Sequence, residues 1–355
     1  MATVVAARSP QRRIYSLFVS LVAVALIASC AAGNPSKESA SGSRSNPGSA
    51  SGIASPDASK SGPGSPGLES ERPSFVTTIP LAAKPSPESV PADLTPSLST
   101  ARQDLPPIYH DGCHLGFTAT TPMACAFGDT GSGTRVILIG DSSAAQWFPA
   151  LQRLAIANHW RLESLTKSAC TVADIAVWQA TLKRPYTECS TWRSLILERI
   201  RAERPALVIV STSHGYQLVV AGQSVPMSAL RATYQAALTR TLVSLDAISQ
   251  RVVLLGTTPD SSVDPPVCLA AHVAAANACT TPFDRAVDGP FRTLEIASGA
   301  SAGVHWIDPI PWVCPADPCP AIIGGILVYR DPGHLTATFS ASLDVTLGSA
   351  LQAVP

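Results

Sequence analysis

The stretch RVILIGDSSAAQW, residues 135–147, places a polar pair where an apolar run changes into a helix-like sequence. Residues 136–139 are continuously apolar, which is typical of a strand buried on both faces. Asp141 and Ser142 follow after a single glycine. Two interpretations compete: the pair caps a helix, or Ser142 is a nucleophile at the edge of a sheet.

Strand-like and helix-like segments alternate from residue 134 onward. The predicted strands are 134–139, 161–165, 206–210, 251–255 and 304–307. The predicted helices are 144–159, 192–204, 228–248, 282–297 and a last one that begins near His334 and runs past Leu347. Such alternation favours an α/β fold with a parallel sheet between helix layers. Sites in these folds lie beyond the carboxyl ends of the strands, which is where Ser142 falls.

The N-terminus has the pattern of an export signal. Three arginines precede an almost wholly apolar run, 14–28, which is shorter than the roughly 20 residues of a membrane span. The run ends in IASC at 27–30, which resembles a bacterial lipobox. We therefore predict a signal peptide over 1–29 and lipidation of Cys30, with the protein anchored to the membrane outside the cytoplasm. An ordinary signal peptide with secretion, or an uncleaved anchor, are the alternatives.

The following segment has the composition of a flexible linker. Residues 30–105 are rich in Ser, Pro, Gly and Ala and show no apolar period. Such a composition buries too little apolar surface to offset the entropy of ordering the chain. We therefore predict a disordered tether over 30–105 and a folded domain over 106–355.

Charge and composition argue against several partners. The 25 Lys and Arg residues balance 25 Asp and Glu residues, so no overall positive field attracts nucleic acid. The sequence contains no C-x-x-C pair, and a thiolate zinc site would compete with oxidation outside the cell. We predict no nucleic-acid partner, no metal and no cofactor.

The cysteines have the number expected of disulfides in an exported domain. Nine cysteines are present, and setting Cys30 aside leaves eight, an even number. Many connectivities are possible. We predict that sequence neighbours pair, because each pair brackets one loop: Cys113 with Cys125, Cys170 with Cys189, Cys268 with Cys279, and Cys314 with Cys319.

A serine nucleophile needs a base and a group that orients the base. Among seven histidines, we select His334, which has a carboxylate at tight spacing in a turn-like context, in YRDPGHLTATF. Asp331 lies three residues earlier, so both side chains can share one side of a helix start. The carboxylate then accepts from one imidazole nitrogen and leaves the other facing Ser142. The simpler alternative is that Asp331 caps the last helix.

Several segments together resemble a known family. ILIGDSS and DPGHLT are similar to the first and last sequence blocks of the SGNH (GDSL-like) hydrolase superfamily. VILIGDSSAAQWFPAL, KSAC, YTECSTWR, DPIPWVCPADPCP and VYRDPGHLTATF resemble, in order, the SGNH domain fused to acyltransferase-three-type membrane acyltransferases. The resemblance covers roughly 106–355. It implies a flavodoxin-like three-layer α/β/α sandwich and a Ser-His-Asp machinery for acetyl or similar short acyl esters.

The resemblance assigns roles to matching residues. Ser142 is the expected nucleophile, His334 the base and Asp331 its orienting group. The backbone N–H of Ser142 is expected to form part of the oxyanion hole, with Ala169 and Ser213 as the other candidates.

The sequence departs from the family pattern beside these residues. The usual second-block Gly is absent, and the matching loop reads KSAC at 167–170. The usual third-block Asn is absent from STSHG at 211–215, where Ser213 or His214 is a replacement donor, although a structural histidine is the simpler interpretation. Ser143 stands where the narrower group is expected to have His. The triad is intact, but the completeness of the oxyanion hole is open.

Three tryptophans have packing as their simplest explanation. Trp147 is expected to pack the first helix and Trp192 to pack against the sheet. Trp312, in a Pro-rich cysteine loop, is also a candidate to line a sugar groove, with packing preferred.

The resemblance implies an extracytoplasmic, membrane-tethered enzyme that handles O-acyl groups on cell-envelope glycans. Release of the acyl group to a glycan hydroxyl makes a transferase, and release to water makes an esterase. Its partners would be an acyl-ester donor and a glycan acceptor. A transferase would also need a separate donor such as a partner membrane acyltransferase. The rival hypotheses are a non-catalytic cell-wall glycan-binding module that retains the fold and a structural lipoprotein.

Overall fold

A computed structural model describes residues 76–78 and 87–354. The predicted signal peptide, Cys30 and most of the predicted tether lie outside the described residues. Within the described part, no helix has the length and apolar character that crossing a membrane requires.

The strands fall into one large sheet and three small ones. In chain order they are β1 (Val76–Thr78), β2 (His114–Leu115), β3 (Ala126–Gly128), β4 (Arg135–Gly140), β5 (Arg161–Lys167), β6 (Val177–Gln179), β7 (Arg184–Pro185), β8 (Leu207–Ser211), β9 (Gln217–Val220), β10 (Gln223–Pro226), β11 (Val252–Leu255), β12 (His305–Asp308), β13 (Ile322–Ile323), β14 (Ile326–Leu327), β15 (Tyr329–Asp331) and β16 (His334–Leu335).

The helices alternate with groups of strands along the chain. They are α1 (Ser142–Ala145), α2 (Phe148–Ala157), α3 (Thr187–Glu203), α4 (Arg231–Asp246), α5 (Pro265–Ala271), α6 (Phe283–Ala286), α7 (Gly289–Ala302), α8 (Ile310–Val313), α9 (Ala337–Ser342) and α10 (Asp344–Ala353). Short 3₁₀ helices cover Ala101–Gln103, Pro107–Tyr109, Met227–Ala229 and Ala276–Cys279.

The large sheet has the order β1-β12-β11-β8-β4-β5-β2, and β3 adds to the edge of β5. Every neighbouring pair along this order is parallel, and only β3 runs antiparallel. Within this sheet, the run β5-β4-β8-β11-β12 has the flavodoxin-like order 2-1-3-4-5. The predicted parallel α/β fold is confirmed.

Strand alternation divides the core between the two faces of the sheet. Val136 and Leu138 of β4 pack with residues of α1, α2, α9 and α10. Ile137 and Ile139 of the same strand pack with residues of α3, α4 and α7. Successive strand residues point to opposite faces, so an unbroken apolar strand needs helices on both sides. The result is the expected three-layer sandwich.

Three predicted helices are divided in the structure, the last of them at Leu343 between α9 and α10. Segment 144–159 is split between α1 and α2, because Pro149 lies in the first turn of α2 and cannot extend a preceding helix. Segment 282–297 is split between α6 and α7, where the Asp288 side chain accepts from Phe291 N at 2.9 Å and starts a new helix.

The predicted start of the last helix, near His334, is wrong. His334 and Leu335 form β16, which pairs with β15 in a small antiparallel sheet. The helix begins at Ala337 because the Thr336 side chain accepts from Phe339 N at 3.0 Å and caps it.

Ordered packing extends N-terminal to residue 106. The segment 87–105 fell within the predicted tether, yet Leu94 and Ala101 are buried in a small cluster beside α5 and β14. The backbone of β1 pairs in parallel with β12. The buried apolar side chains in 87–105 are few, which is why composition alone did not reveal them.

Within the described residues, four disulfides join sequence neighbours. The bonds are Cys113–Cys125, Cys170–Cys189, Cys268–Cys279 and Cys314–Cys319. The predicted neighbour pairing is the one that the structure contains.

Candidate active site

Ser142 lies at the first position of α1, directly after the carboxyl end of β4. Gly140 permits this sharp exit: its φ is +146°, and a Cβ there would lie 1.9 Å from the Ser211 carbonyl oxygen on β8. Only glycine fits such a close approach. The direction in which successive strands are added to the sheet reverses between β4 and β8, and Ser142 lies at that switch point.

Ser142, His334 and Asp331 form one hydrogen-bonded chain. The Ser142 Oγ lies 2.8 Å from His334 Nε2. The other ring nitrogen, Nδ1, lies 2.8 Å from Asp331 Oδ1 and 3.1 Å from Oδ2. An Nδ1–H that donates to the carboxylate leaves Nε2 free to accept the serine proton, which is the tautomer a general base requires.

The β15–β16 hairpin fixes the position of Asp331. Gly333 N donates to Asp331 Oδ1 at 3.0 Å, and the Arg330 guanidinium lies 3.5 Å from Oδ2. Burial raises the pKa of Asp331, but the hydrogen bond and charge of His334, together with Arg330, outweigh it and lower the pKa overall. The carboxyl is therefore held in the charged form that orients and stabilises an imidazolium.

Asp141 caps α1 and also bonds to the loop after β8. Its Oδ1 accepts from Ser143 N at 2.8 Å and caps α1. Its Oδ2 accepts from Ser213 N at 3.1 Å and from the Tyr216 hydroxyl. Asp141 thereby connects the end of β4 to the loop after β8, while the hydroxyl of the neighbouring Ser142 contacts His334.

A cavity of about 210 Å³ opens over Ser142. Ala169 and Ser213, the two other residues predicted for an oxyanion hole, both line it. Ala169 has φ +49°, a conformation that glycine adopts at low cost and that agrees with the family's usual glycine in this block. The backbone N–H of Ser213 is bonded to Asp141, so only its hydroxyl remains to face a ligand.

The model of the SGNH domain fused to AT3 domains matches residues 107–346. That match covers well over half of the chain. The chain belongs to the SGNH family. A comparison with curated protein sequences found no match.

Solved structures similar to this SGNH domain are distant in sequence. The periplasmic domain of a lipopolysaccharide acetyltransferase from Salmonella ser. Paratyphi A has 16% identity and a TM-score of 0.48 over 61% of this chain and 83% of that chain. A GDSL-like lipase from Bacteroides thetaiotaomicron has 12% identity and a TM-score of 0.36 over 63% and 90%. An acetyl-xylooligosaccharide esterase from Geobacillus has 13% identity and a TM-score of 0.38 over 63% and 96%.

His214 of the SGNH domain lines the same cavity but bonds elsewhere. Its Nε2 lies 3.3 Å from Asp260 Oδ2, and this hydrogen bond raises the pKa of His214 in spite of its burial. His214 therefore forms a second imidazole–carboxylate pair in the cavity wall, separate from the pair that contacts Ser142.

His114 lies near the triad, but its surroundings suit a structural role. It is buried and bonds to Thr166 Oγ1 and Ser168 Oγ, each at 3.0 Å. Burial, aided by the charges of Arg330 and His334, lowers the pKa of His114 to about 3. A neutral imidazole whose two nitrogens are both hydrogen-bonded has no nitrogen left to accept a proton from Ser142.

Sequence reasoning missed Gln146. This side chain is 1% exposed, and its Nε2 donates to Thr258 Oγ1 at 3.1 Å. Its Oε1 accepts from Leu335 N at 2.9 Å and so holds the strand that carries His334. A single glutamine gives no signal for such a role, because its partners lie far away in the sequence.

The tryptophans pack the core of the SGNH domain. Trp147, Trp192 and Trp312 are each 0% exposed, and the rings of Trp147 and Trp312 meet edge to face with centroids 5.8 Å apart. Trp312 therefore does not line a sugar groove, and the packing interpretation holds for all three.

Proposed function

We propose that this SGNH domain is a serine O-acyl enzyme, an acetyltransferase or esterase, that acts on cell-envelope glycans. The observation that carries the proposal is the hydrogen-bonded chain Ser142–His334–Asp331 at the mouth of a cavity. A hydroxyl, an imidazole and a carboxylate in this order are the requirements for nucleophilic acyl transfer.

In the first half-reaction, His334 Nε2 takes the proton of the Ser142 hydroxyl as Oγ attacks the ester carbonyl carbon. The tetrahedral intermediate collapses by breaking the bond to the alcohol oxygen. That oxygen takes the proton from His334 and leaves as the free alcohol, while the acyl group stays on Ser142. Asp331 stabilises the imidazolium that forms between these proton transfers.

In the second half-reaction, a hydroxyl enters where the alcohol left. It gives its proton to His334 and attacks the acyl carbon, and Ser142 Oγ leaves with that proton. A glycan hydroxyl yields an acylated glycan, and water yields a carboxylic acid. The entering molecule alone distinguishes transferase from esterase.

The oxyanion of each intermediate needs donors in the cavity. We assign this role to the backbone N–H of Ser142, the backbone of Ala169 and the hydroxyl of Ser213. All three residues line the same cavity.

We propose an extracytoplasmic location for the domain. Its four disulfides are typical of oxidising compartments. The matching family is fused to AT3 domains, so a separate membrane acyltransferase is the proposed acyl donor if the reaction is a transfer. A signal peptide over 1–29 and a lipid anchor at Cys30 would place the domain beside such a partner.

A non-catalytic glycan-binding module is the second candidate. It is favoured by the departures at Ala169 and Ser213, which stand where the family pattern has Gly and Asn. A module of this kind would bind glycans equally well with or without the Ser142 hydroxyl.

Hydrolysis of p-nitrophenyl acetate and of acetylated glycans tests the proposal. Ser142→Ala should reduce kcat by about 1,000-fold or more, because the hydroxyl that attacks the ester and holds the acyl group is removed. Ser349→Ala, on the exposed face of α10, is the matched control and should retain full activity. Hydrolysis that is equal in Ser142→Ala and wild type would overturn the catalytic proposal and favour the binding module.

A further inference from the structure

A second, larger cavity lies along the same edge of the sheet. It has a volume of about 610 Å³, within the roughly 300–1,000 Å³ typical of small-molecule sites. Asp308 at the carboxyl end of β12 and Arg292 of α7 form its polar wall. Because β4 and β12 run in the same direction, this cavity and Ser142 share one edge of the molecule.

A small cleft, with a volume of about 10 Å³, lies between the two cavities. His214 and Thr257 line both the Ser142 cavity and the cleft. Val287, Arg292 and Ile310 line both the cleft and the larger cavity. The larger cavity therefore adjoins the Ser142 cavity through shared wall residues, although the cleft between them is too small to hold a sugar ring.

The wall of the larger cavity combines apolar side chains with one ion pair whose two charges cancel. Phe283 is 40% exposed at its rim, and Val287 and Ile310 continue the apolar surface. Arg292 Nη2 donates to Asp308 Oδ2 at 2.8 Å, while the Arg292 side chain stays 37% exposed and accessible to a ligand.

We propose that this cavity binds a neutral sugar ring of the glycan that donates or accepts the acyl group, an inference that rests on the proposed function. A pyranose has an apolar C–H face that suits the Phe283 ring and hydroxyls that suit a fixed arginine–carboxylate pair. Because Asp308 cancels the charge of Arg292, the polar wall favours an uncharged polyol over an anionic sugar.

The walls are held in place before any ligand binds. The Asp317 side chain, within the loop closed by Cys314–Cys319, accepts from Phe283 N at 3.0 Å. Asp308 Oδ1 accepts from Ile310 N at 3.0 Å, and the Arg292 guanidinium lies 4.9 Å from the centre of the Trp306 ring. Such preorganisation lowers the entropy cost of binding.

Phe283→Ala tests the proposal, with chemically O-acetylated maltotetraose as the neutral glycan and p-nitrophenyl acetate as the small ester. We expect kcat/KM for the oligosaccharide to fall about tenfold, through KM, because ring stacking is lost. The value for p-nitrophenyl acetate should not change, since that ester does not reach the cavity. Ile156→Ala, a truncation at an exposed position of α2, is the control and should alter neither value.

A filling variant avoids any loss of packing. Thr293 is exposed and lines the larger cavity, so Thr293→Trp should block it and again lower kcat/KM for the oligosaccharide alone, by about tenfold or more. Equal effects on both substrates, or none on the oligosaccharide, would overturn the sugar subsite. An effect on p-nitrophenyl octanoate without one on the oligosaccharide would show an acyl-chain site and likewise overturn it. Wild type inactive on every ester would instead refute the proposed function.

Discussion

At the scale of single residues, two adjacent positions of the candidate site differ in their contacts: Asp141 supports the structure, and Ser142 faces the cavity. Asp141 is 1% exposed and holds two loops together, whereas Ser142 faces the cavity and contacts His334. Asp141 therefore caps α1, and Ser142 has the placement that a nucleophile requires.

Asp331→Asn should lower kcat for p-nitrophenyl acetate by roughly 10³- to 10⁴-fold. The amide is uncharged, and its N–H₂ can donate to His334 Nδ1, which favours the tautomer in which Nε2 carries the proton. Asp246→Asn, at an exposed position of α4, is the control and should retain wild-type kcat. An Asp331→Asn enzyme with more than about a tenth of wild-type activity would contradict the assigned role.

Residue-scale prediction succeeded where partners are close in sequence and failed where they are not. Asp331 and His334 are three positions apart, so their pairing could be read from spacing. Gln146 and Leu335 are 189 positions apart, and Asp141 and Tyr216 are 75 apart. Only the folded chain brings such pairs together, because neither residue type carries a local signature.

At the scale of elements, the β15–β16 hairpin replaces the helix start that the sequence suggested for His334. Side chains, not the backbone of a helix turn, form hydrogen bonds with the Leu335 backbone. Gln146 accepts from Leu335 N, and Arg330 donates to the Leu335 carbonyl at 2.9 Å. Pro332 and Gly333 make the turn between the strands. The imidazole is thus carried on a short strand anchored from both sides.

Gln146→Leu should destabilise the domain by about 1–3 kcal/mol, because the buried Leu335 N–H loses its partner. It should also lower kcat, since the strand that positions His334 loses its anchor. Urea unfolding and p-nitrophenyl acetate kinetics provide the two measurements. Gln352→Leu, on the exposed face of α10, is the matched control. Unchanged stability and kcat in Gln146→Leu would show that the anchor is unnecessary.

At the scale of the whole molecule, the strand order explains why a serine near residue 142 meets a histidine 192 positions later. Parallel strands bring the ends of β4, β8, β11 and β12 to one edge, where the loops after them form the cavities. Unbroken apolar runs made the sheet predictable. Ordering within 87–105 and the cavity walls were not predictable, because they depend on packing between distant segments.

The pH dependence of stability should reflect Glu295 of α7. Burial raises the pKa of Glu295 from 4.5 to about 7, although Thr257 N and Oγ1 donate to it. The folded state therefore holds this proton more tightly than the unfolded state, so the stabilisation is complete below about pH 4.5 and is lost as pH rises through about 7.

Glu295→Gln removes this titration. Its free energy of unfolding relative to wild type should rise by up to about 3 kcal/mol between pH 5 and pH 8. Urea unfolding at several pH values measures the difference. Glu198→Gln, at an exposed position of α3, is the control and should follow the wild-type pH profile. A Glu295→Gln curve parallel to wild type would contradict a buried carboxyl with a raised pKa.

Covalent labelling with a fluorophosphonate, followed by intact-mass measurement and peptide mapping, tests the central claim most directly. We predict one adduct per chain, located on Ser142, with a labelling rate at least about 1,000-fold lower in His334→Ala because the hydroxyl loses its base. Absence of labelling in the folded wild-type protein, an adduct on another residue, or an equal rate in His334→Ala would contradict a nucleophile activated by the Ser142–His334–Asp331 chain.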